Sequence, residues 1–182
     1  MNKLLVHICC GPCFIAPHTM LRDEGDWDVT GYWFNPNIHP VTEYQRRLDT
    51  LREYAAAEDV PLIERDDYAL DEFLRQAAFR ESERCRMCYY DRLRATAIVA
   101  KRGNFDAFTS TLLYSRHQEH ELIRAIGESL ADEVGVPFFY RDFRPLWGEG
   151  IRLSKERGMY RQPYCGCIYS ERDRYRPLTT KR

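Results

Sequence analysis

The chain is 182 residues long and carries 27 basic against 28 acidic side chains, giving a net charge of −1. That length suits one domain with a buried core. The balanced charge excludes a general electrostatic attraction to nucleic acid or membranes, so either partner would need a local patch. The first ten residues form an apolar run, broken by His7, that is too short for a signal peptide or a bilayer span. We therefore expect a cytoplasmic protein without membrane contacts.

Strands and helices are predicted to alternate along the whole chain. The predicted strands cover residues 4–9, 27–34, 61–64, 105–112 and 137–140. The predicted helices cover residues 14–23, 41–58, 70–78, 85–102 and 118–134. This alternation predicts an α/β fold, a single-domain Rossmann-like parallel sheet with helices on both faces. We expect one domain over residues 1–182, with a cysteine-bearing polar tail from about residue 158 that frays past Pro177.

The seven cysteines fall into three tight groups, which scattered structural thiols would not do. The groups are Cys9, Cys10 and Cys13, then Cys85 and Cys88, then Cys165 and Cys167. Clustered cysteines in an intracellular protein favour metal binding or redox chemistry over structural disulfides. Ligands in open parallel sheets bind beyond the carboxyl ends of the strands, where the first group is predicted to lie. Residues 35–39, and residues 110–115 at the end of the strand that begins at Phe105, are predicted to lie at the same edge.

Four of these cysteines provide the number of thiolates that an iron–sulfur cluster needs. Cys85 and Cys88 are three residues apart, so a helix would place both sulfur atoms on one face. Cys9 and Cys10 point to opposite sides if the strand is extended there. The turn at Gly11 either brings both to one centre or leaves each at a different one. We predict that Cys9, Cys10, Cys85 and Cys88 ligate one 4Fe–4S cluster.

The third group, Cys165-Gly166-Cys167, allows several kinds of chemistry. A disulfide across one residue is strained and readily reduced, which suits an electron relay. Both thiolates could instead ligate a second metal, or a structural zinc in a binding module without catalysis.

The string Cys10-Gly11-Pro12-Cys13 supports an alternative function. C-G-P-C between a strand and a helix is typical of thioredoxin-like thiol–disulfide oxidoreductases. That alternative leaves Cys9 and the two later cysteine groups without a role. The aromatic residue that usually precedes the motif is also absent.

Five segments together resemble the QueH family of epoxyqueuosine reductases. They read H-I-C-C-G-P-C at 7–13, Y-W-F-N-P-N-I-H-P-V-T-E-Y-Q-R-R at 32–47, C-R-M-C-Y-Y-D-R-L at 85–93, F-T-S-T-L-L-Y-S-R-H at 108–117 and G-M-Y-R-Q-P-Y-C-G-C at 158–167. The resemblance implies reduction of epoxyqueuosine to queuosine in tRNA, the last step of queuosine biosynthesis, without cobalamin. It also implies a 4Fe–4S cluster, a mononuclear iron beside it, and a fold related to the nucleotide α-hydrolase group. Some relatives have Asp where this chain has Cys13, and that Asp has been linked to the second iron. Cys13 is therefore a candidate catalytic residue, whose thiolate could hold iron or act as a redox partner, as are Cys165 and Cys167.

The implied reaction defines further candidate residues. Removing the epoxide oxygen consumes two electrons, which Cys165 and Cys167 could store or pass on, and two protons. The candidate proton donors are His7, His39, Tyr89, His117 and Tyr164. An unstacked anticodon-loop base is recognised by aromatic stacking and phosphate contacts. The residues predicted to bind substrate, with Trp33 and Phe34 nearby, are Asn35, Asn37, Tyr44, Arg46, Arg47, Tyr160 and Arg161. The electron donor is a further partner that the sequence leaves unidentified.

Overall fold

The computed structural model describes residues 1–176. Four strands form one parallel sheet in the order β3–β2–β1–β4. The strands are β1 (Asn2–His7), β2 (Trp27–Trp33), β3 (Leu62–Glu64) and β4 (Ala107–Ser110). The α-helices described within residues 1–176 are α1 (Gly11–Glu24), α2 (Val41–Ala57), α3 (Leu70–Ala77), α4 (Arg84–Arg102), α5 (His120–Val134), α6 (Trp147–Glu156) and α7 (Ile168–Tyr175). The predicted α/β class with a parallel sheet is confirmed.

The core follows from the central position of β1 in the sheet. Leu4, Leu5 and Val6 are at most 1% exposed, because β1 has a strand on each side and helices cover it. This explains the unbroken apolar run, which is typical of parallel strands. Helix α1 packs against β2, α2 and α6, whereas α4 packs against β1, β4 and α5.

Helix α1 begins three residues earlier than predicted. Pro12 occupies its first turn, where the missing N–H costs nothing and the fixed φ angle suits a helix. Cys10 precedes the helix in extended conformation, with φ −174° and ψ 158°. Cys9 and Cys10 therefore lie in the connection after β1, not on the strand itself.

The prediction of a fifth strand at residues 137–140 is wrong. This segment forms a single bridge between Phe108 and Phe138, supported by hydrogen bonds from Phe108 to Pro137 and from Phe139 to Phe108. Strand β4 is also shorter than predicted, because residues 111–114 turn into a 3₁₀ helix.

Two helices, α6 and α7, were not predicted from the sequence. Helix α7 lies within the polar tail, for which no helix was predicted, and its first turn is capped by Cys167. The fraying expected past Pro177 lies outside the described residues. Within residues 1–176, no helix combines the length and apolarity that crossing a bilayer requires.

Candidate active site

The first cysteine group lies where the strand order reverses. The chain proceeds from β1 to β2 and β3 on one side and then returns to place β4 on the other side of β1. The carboxyl ends of β1 and β4 thus border the crevice in which such sheets bind ligands. The backbone N–H of Cys9, after β1, donates a 3.1 Å hydrogen bond to Oγ1 of Thr111, after β4.

Three thiols meet at this crevice. The Sγ atoms of Cys9, Cys10 and Cys13 all lie within 4.8 Å of one another, and those of Cys9 and Cys10 are 3.9 Å apart. Among the described residues, no other group of three His, Cys, Asp or Glu side chains converges in this way. Three converging soft ligands are suited to a metal ion or an iron–sulfur cluster.

The electrostatics of these thiols favour one thiolate, on Cys9. Hydrogen bonds from Cys10 and Cys13 lower the pKa of Cys9 well below its ordinary value, although burial opposes this. The Thr111 hydroxyl, 3.3 Å from Sγ of Cys9, acts in the same direction. Burial raises the pKa of Cys10, and the hydrogen bonds that Cys13 shares with its neighbours raise its own pKa.

Gln162 connects this group to the distant segment before α7, a role that the sequence reasoning missed. Its Nε2 donates to Sγ of Cys10 at 2.8 Å and to Sγ of Cys13 at 3.3 Å. Its buried Oε1 has no hydrogen-bond partner within residues 1–176. The available signal was its place in the Y-R-Q-P-Y-C-G-C string that ends at Cys167.

The other four cysteines form a second neighbourhood. The pKa of Cys88 is raised to about 12, chiefly by burial. Arg92 opposes this rise, and the nearby sulfur atoms of Cys165, Cys167 and Cys85 contribute to it. Burial likewise raises the pKa of Cys85. All seven cysteines are free thiols in the structure. The predicted cluster ligands therefore come from both neighbourhoods.

Arg47 holds the backbone of the C-G-C segment through hydrogen bonds. Its Nη1 and Nη2 donate to the carbonyl oxygens of Cys165 at 2.7 Å and Tyr164 at 3.0 Å. Its Nε pairs with Glu43 at 2.7 Å, and the side chain is 1% exposed. The nearby His39 N–H also donates to the Gly166 carbonyl at 2.8 Å. These contacts fix the backbone that carries both cysteines.

Several other residues predicted to bind substrate are also buried. Asn35 donates from Nδ2 to the Ile8 carbonyl at 2.9 Å, and Asn37 is 3% exposed. Tyr44 is 2% exposed and accepts a hydrogen bond from Trp33 Nε1 at 2.9 Å. The surroundings of these side chains favour structural roles.

The remaining predicted substrate-binding residues are more accessible. Arg46 and Arg161 are exposed, and Arg46 lies over the ring of the half-buried Tyr160 at 5.4 Å. Contact of these three side chains with substrate stays a prediction.

The candidate proton donors differ in how deeply their side chains are buried, and burial shifts the pKa values of the buried ones. Burial and the charge of Arg92 lower the pKa of His7 to about 3, so its imidazole is neutral, between Ser110 Oγ and the Phe34 carbonyl. Burial lowers the pKa of His39 to about 4.

The tyrosines also hold their protons. Burial raises the pKa of Tyr164 to about 12, and its hydroxyl donates to the His39 carbonyl. Burial also raises the pKa of Tyr89, whose hydroxyl donates to Gln118 at 2.8 Å. Of the five predicted donors, only His117 has an exposed side chain.

A cavity of about 660 Å³ opens onto the cysteines. Its wall contains Cys9, Cys13 and Cys165, together with side chains that the sequence reasoning did not select. Those side chains include Arg92, Tyr114, Gln118, Trp147, Gln162 and Arg174. The Trp147 ring has Tyr114 at 5.3 Å and His117 edge-on at 5.5 Å. The cavity therefore combines thiols, aromatic rings and guanidinium groups in one space.

Comparisons with known proteins agree over nearly the whole chain. The family model described as epoxyqueuosine reductase QueH matches residues 4–173. An epoxyqueuosine reductase QueH from Dehalococcoides mccartyi is 38% identical, covering 95% of this chain and 94% of the relative. One from Thermotoga maritima is 31% identical, covering 100% and 98%, and one from Histophilus somni is 35% identical, covering 94% and 73%. The chain thus belongs to the QueH family of epoxyqueuosine reductases.

Proposed function

We propose that this protein reduces epoxyqueuosine to queuosine in tRNA anticodon loops by iron–sulfur-dependent removal of the epoxide oxygen. The observation that carries the proposal is the cysteine-lined cavity at the reversal of strand order, in a chain that matches the QueH family over residues 4–173. A tRNA substrate places the reaction in the cytoplasm. The whole of residues 1–182 acts as one reductase domain with a cysteine-bearing tail.

The fold of this domain is related to the nucleotide α-hydrolase group, with helices on both faces of a Rossmann-like sheet. The separate packing of α1 with α2 and α6, and of α4 with α5, supports two helical layers. Crossovers between parallel strands are right-handed almost without exception, so connections on opposite sides of β1 are expected on opposite faces, which supports the same arrangement.

The donor set fits a 4Fe–4S cluster held by Cys9, Cys10, Cys85 and Cys88. Buried thiols with raised pKa values are unfavourable as isolated thiolates, and binding iron removes that cost. When bound, the cluster supplies single electrons, and a neighbouring iron supplies a Lewis acid for the epoxide oxygen. Cys13, Cys165 and Cys167 are the residues left to hold that iron or to cycle as a dithiol.

The chain's own side chains position the substrate and supply protons. Conversion of the epoxide to an alkene and water requires two electrons and two protons. The His117 imidazole lines the cavity and is the exposed proton donor among the candidates. The hydroxyls of Tyr164 and Tyr89 stay protonated and hold the surrounding backbone and Gln118 in place.

Recognition of the tRNA combines stacking with phosphate contacts around the cavity mouth. Trp147 offers an aromatic wall, with the Arg116 guanidinium 6.0 Å from its ring. Arg161 and Arg174 line the same cavity. Unstacked RNA bases bind to such mixtures of aromatic and basic groups. Because the net charge is −1, affinity depends on this local patch and weakens as salt rises.

The thioredoxin-like alternative is favoured only by the closeness of Cys10 and Cys13. These side chains are 1% and 7% exposed, so a protein disulfide could not reach them without rearrangement. Burial raises the pKa of Cys10, whereas a thioredoxin nucleophile has a lowered pKa. In a zinc-stabilised binding module, the cysteine-lined cavity would have no catalytic role.

The deciding experiment is anaerobic incubation of the iron-loaded protein with epoxyqueuosine-containing tRNA and a chemical reductant, followed by nucleoside mass analysis. We expect the modified nucleoside to lose one oxygen atom. Omitting the reductant from the same mixture is the control and should leave the epoxide intact. No conversion by cluster-loaded protein, together with efficient reduction of an unrelated protein disulfide, would establish the thioredoxin-like alternative instead.

A further inference from the structure

Arg92 is a buried cation without a carboxylate partner. Its side chain is 2% exposed, and it lies one helical turn after Cys88 on α4. Within residues 1–176 its hydrogen bonds go to the Cys88 carbonyl at 3.1 Å, Sγ of Cys88 at 3.0 Å and Oδ1 of Asn35 at 3.5 Å. None of these acceptors is a carboxylate. By contrast, the equally buried Arg47 has Glu43 at 2.7 Å.

A buried guanidinium needs an anion nearby. Its pKa is too high for it to lose a proton, so it keeps its charge even where burial is costly. The spacing of four residues on one helix places Arg92 on the same face as Cys88. Its charge acts on the sulfur of Cys88 and then on those of Cys165 and Cys9. The groups that remain to balance the positive charge of Arg92 are therefore the cysteine sulfur atoms.

Asn35 fixes the direction of this guanidinium. Its Nδ2 donates to the Ile8 carbonyl at 2.9 Å, which turns Oδ1 towards Arg92. Because Ile8 directly precedes Cys9, the same asparagine connects Arg92 to the backbone that carries the first cysteine group. The charge is thus held at a fixed place between two segments that bear thiols.

We propose that Arg92 is a positioning residue that sets the reduction potential of the sulfur-ligated iron centre and favours its reduced form. The inference rests on the proposed function, because it assumes that an iron–sulfur centre forms on these cysteines. Reduction adds one electron from the external reductant to the centre and breaks no bond in Arg92. The added negative charge is attracted by a nearby fixed positive charge, which solvent screens only weakly in a buried site.

The test is a potentiometric titration of the cluster-loaded protein with dithionite, followed by electron paramagnetic resonance. We expect Arg92→Met to make one-electron reduction about tenfold less favourable, which corresponds to a midpoint potential about 59 mV lower. Arg92→Lys retains the charge and should stay closer to the wild type. The matched control is Arg94→Met, which removes an exposed arginine from the same helix and should leave the midpoint unchanged.

Each outcome separates this inference from the proposed function. A wild-type protein that takes up no iron and sulfide would contradict the proposed function before Arg92 is tested. A cluster-loaded Arg92→Met with the wild-type midpoint would overturn the inference and leave the proposed function standing. If Arg92→Met cannot hold the cluster, retention of the cluster by Arg92→Lys supports the role of charge. Loss of the cluster in both variants overturns it.

Discussion

Thr111 contacts Cys9 through both the backbone and the sulfur atom. Its Oγ1 accepts a hydrogen bond from the Cys9 N–H at 3.1 Å and donates to Sγ of Cys9 at 3.3 Å. One hydroxyl thus links the segment after β4 to the segment after β1 at the point where the sheet opens. The pair positions a thiol by a contact between residues more than a hundred positions apart.

The first prediction follows from this pair. Thr111→Val leaves the Cys9 N–H, in a part-buried contact, without its acceptor, so we expect the free energy of unfolding to fall by about 1–3 kcal/mol. The measurement is urea denaturation, with iron content as a second readout. Thr109→Val is the matched control, because the buried Thr109 hydroxyl has no partner within residues 1–176. Equal losses of stability in both variants would contradict the role of Thr111.

The second prediction concerns the cluster ligands. Cys85→Ser combined with Cys88→Ser removes two of the four predicted thiolates, so iron and sulfide content should fall towards zero after anaerobic reconstitution. Arg86→Ser changes an exposed position on the same helix turn and should keep the wild-type content. Unchanged iron and sulfide in the double variant would show that the cluster has other ligands.

The third prediction separates turnover from folding at the C-G-C segment. Cys165 is exposed, and Sγ of Cys167 caps α7 by accepting the Ser170 N–H at 3.4 Å, which serine can also do. Single serine variants should therefore remain folded and keep the cluster. The exposed Cys165→Ser should stay within about 0.5 kcal/mol of the wild type, and the buried Cys167→Ser should lose about 1 kcal/mol. Both should lose epoxide reduction with a chemical electron source. Full activity in both would exclude a role in turnover.

A fourth prediction uses His18, which lies on α1 five residues after Cys13. Burial, followed by the nearby charge of Arg22, lowers the pKa of His18, whose Nδ1 lies 2.8 Å from the Tyr54 hydroxyl. Near pH 6.5 the His18 imidazole therefore takes up a proton in the unfolded chain, whereas in the folded chain it does so only at lower pH. Stability should fall as the pH drops below about 6.5, by at most about 1.4 kcal/mol per pH unit from this group.

The measurement for His18 is urea denaturation at several pH values between 7.5 and 5. His18→Gln removes the titration and should give a shallower dependence on pH than the wild type. An unchanged slope in the variant would mean that His18 titrates alike in both states.

The fifth prediction tests the aromatic wall of the cavity. Trp147→Leu removes a stacking surface, which for unstacked bases is worth about 1–3 kcal/mol, so KM for modified tRNA should rise about 5- to 150-fold. Trp147→Phe keeps a ring and should retain most of the affinity. Trp27→Leu is the control, because Trp27 packs on Phe139 at the other end of the sheet. An unchanged KM in Trp147→Leu would show that the Trp147 ring does not contribute to tRNA binding.

The sequence allowed the prediction of features that depend on local pattern. Alternating apolar runs indicated the α/β class, and the C-C-G-P-C string was predicted to lie at the carboxyl end of the first strand. The sequence leaves open whether Cys9 and Cys10 meet at one centre, and the convergence of Cys9, Cys10 and Cys13 came from the structure. Helix α7 was missed because Ile168–Tyr175 is mostly charged and polar and shows no apolar period. Helix α6 was missed because two glycines weaken its helical propensity.

Features that join distant segments could not be predicted. Thr111, Gln162 and Arg92 lie in the segments that resemble the family, but their roles depend on which distant segments become neighbours in the fold. Tyr44 was predicted to share the apolar face of the 41–58 helix with Leu48, Leu51 and Ala55, and it is buried there. The burial of Arg47 was hidden, because the sequence of a mostly polar helix does not show which arginine faces the interior. Only the tertiary structure distinguishes Arg47 from Arg46, which faces solvent.

The hydrogen bond from Gln162 to Cys10 spans 152 positions of the chain. Closing a loop of this size costs conformational entropy, and the bond can form only after residue 162 has been synthesised. In the nascent chain the Cys10 thiol therefore lacks the Gln162 donor until most of the domain has been made. The surroundings of a thiol near the start of the chain are thus completed by one of the last segments to be synthesised.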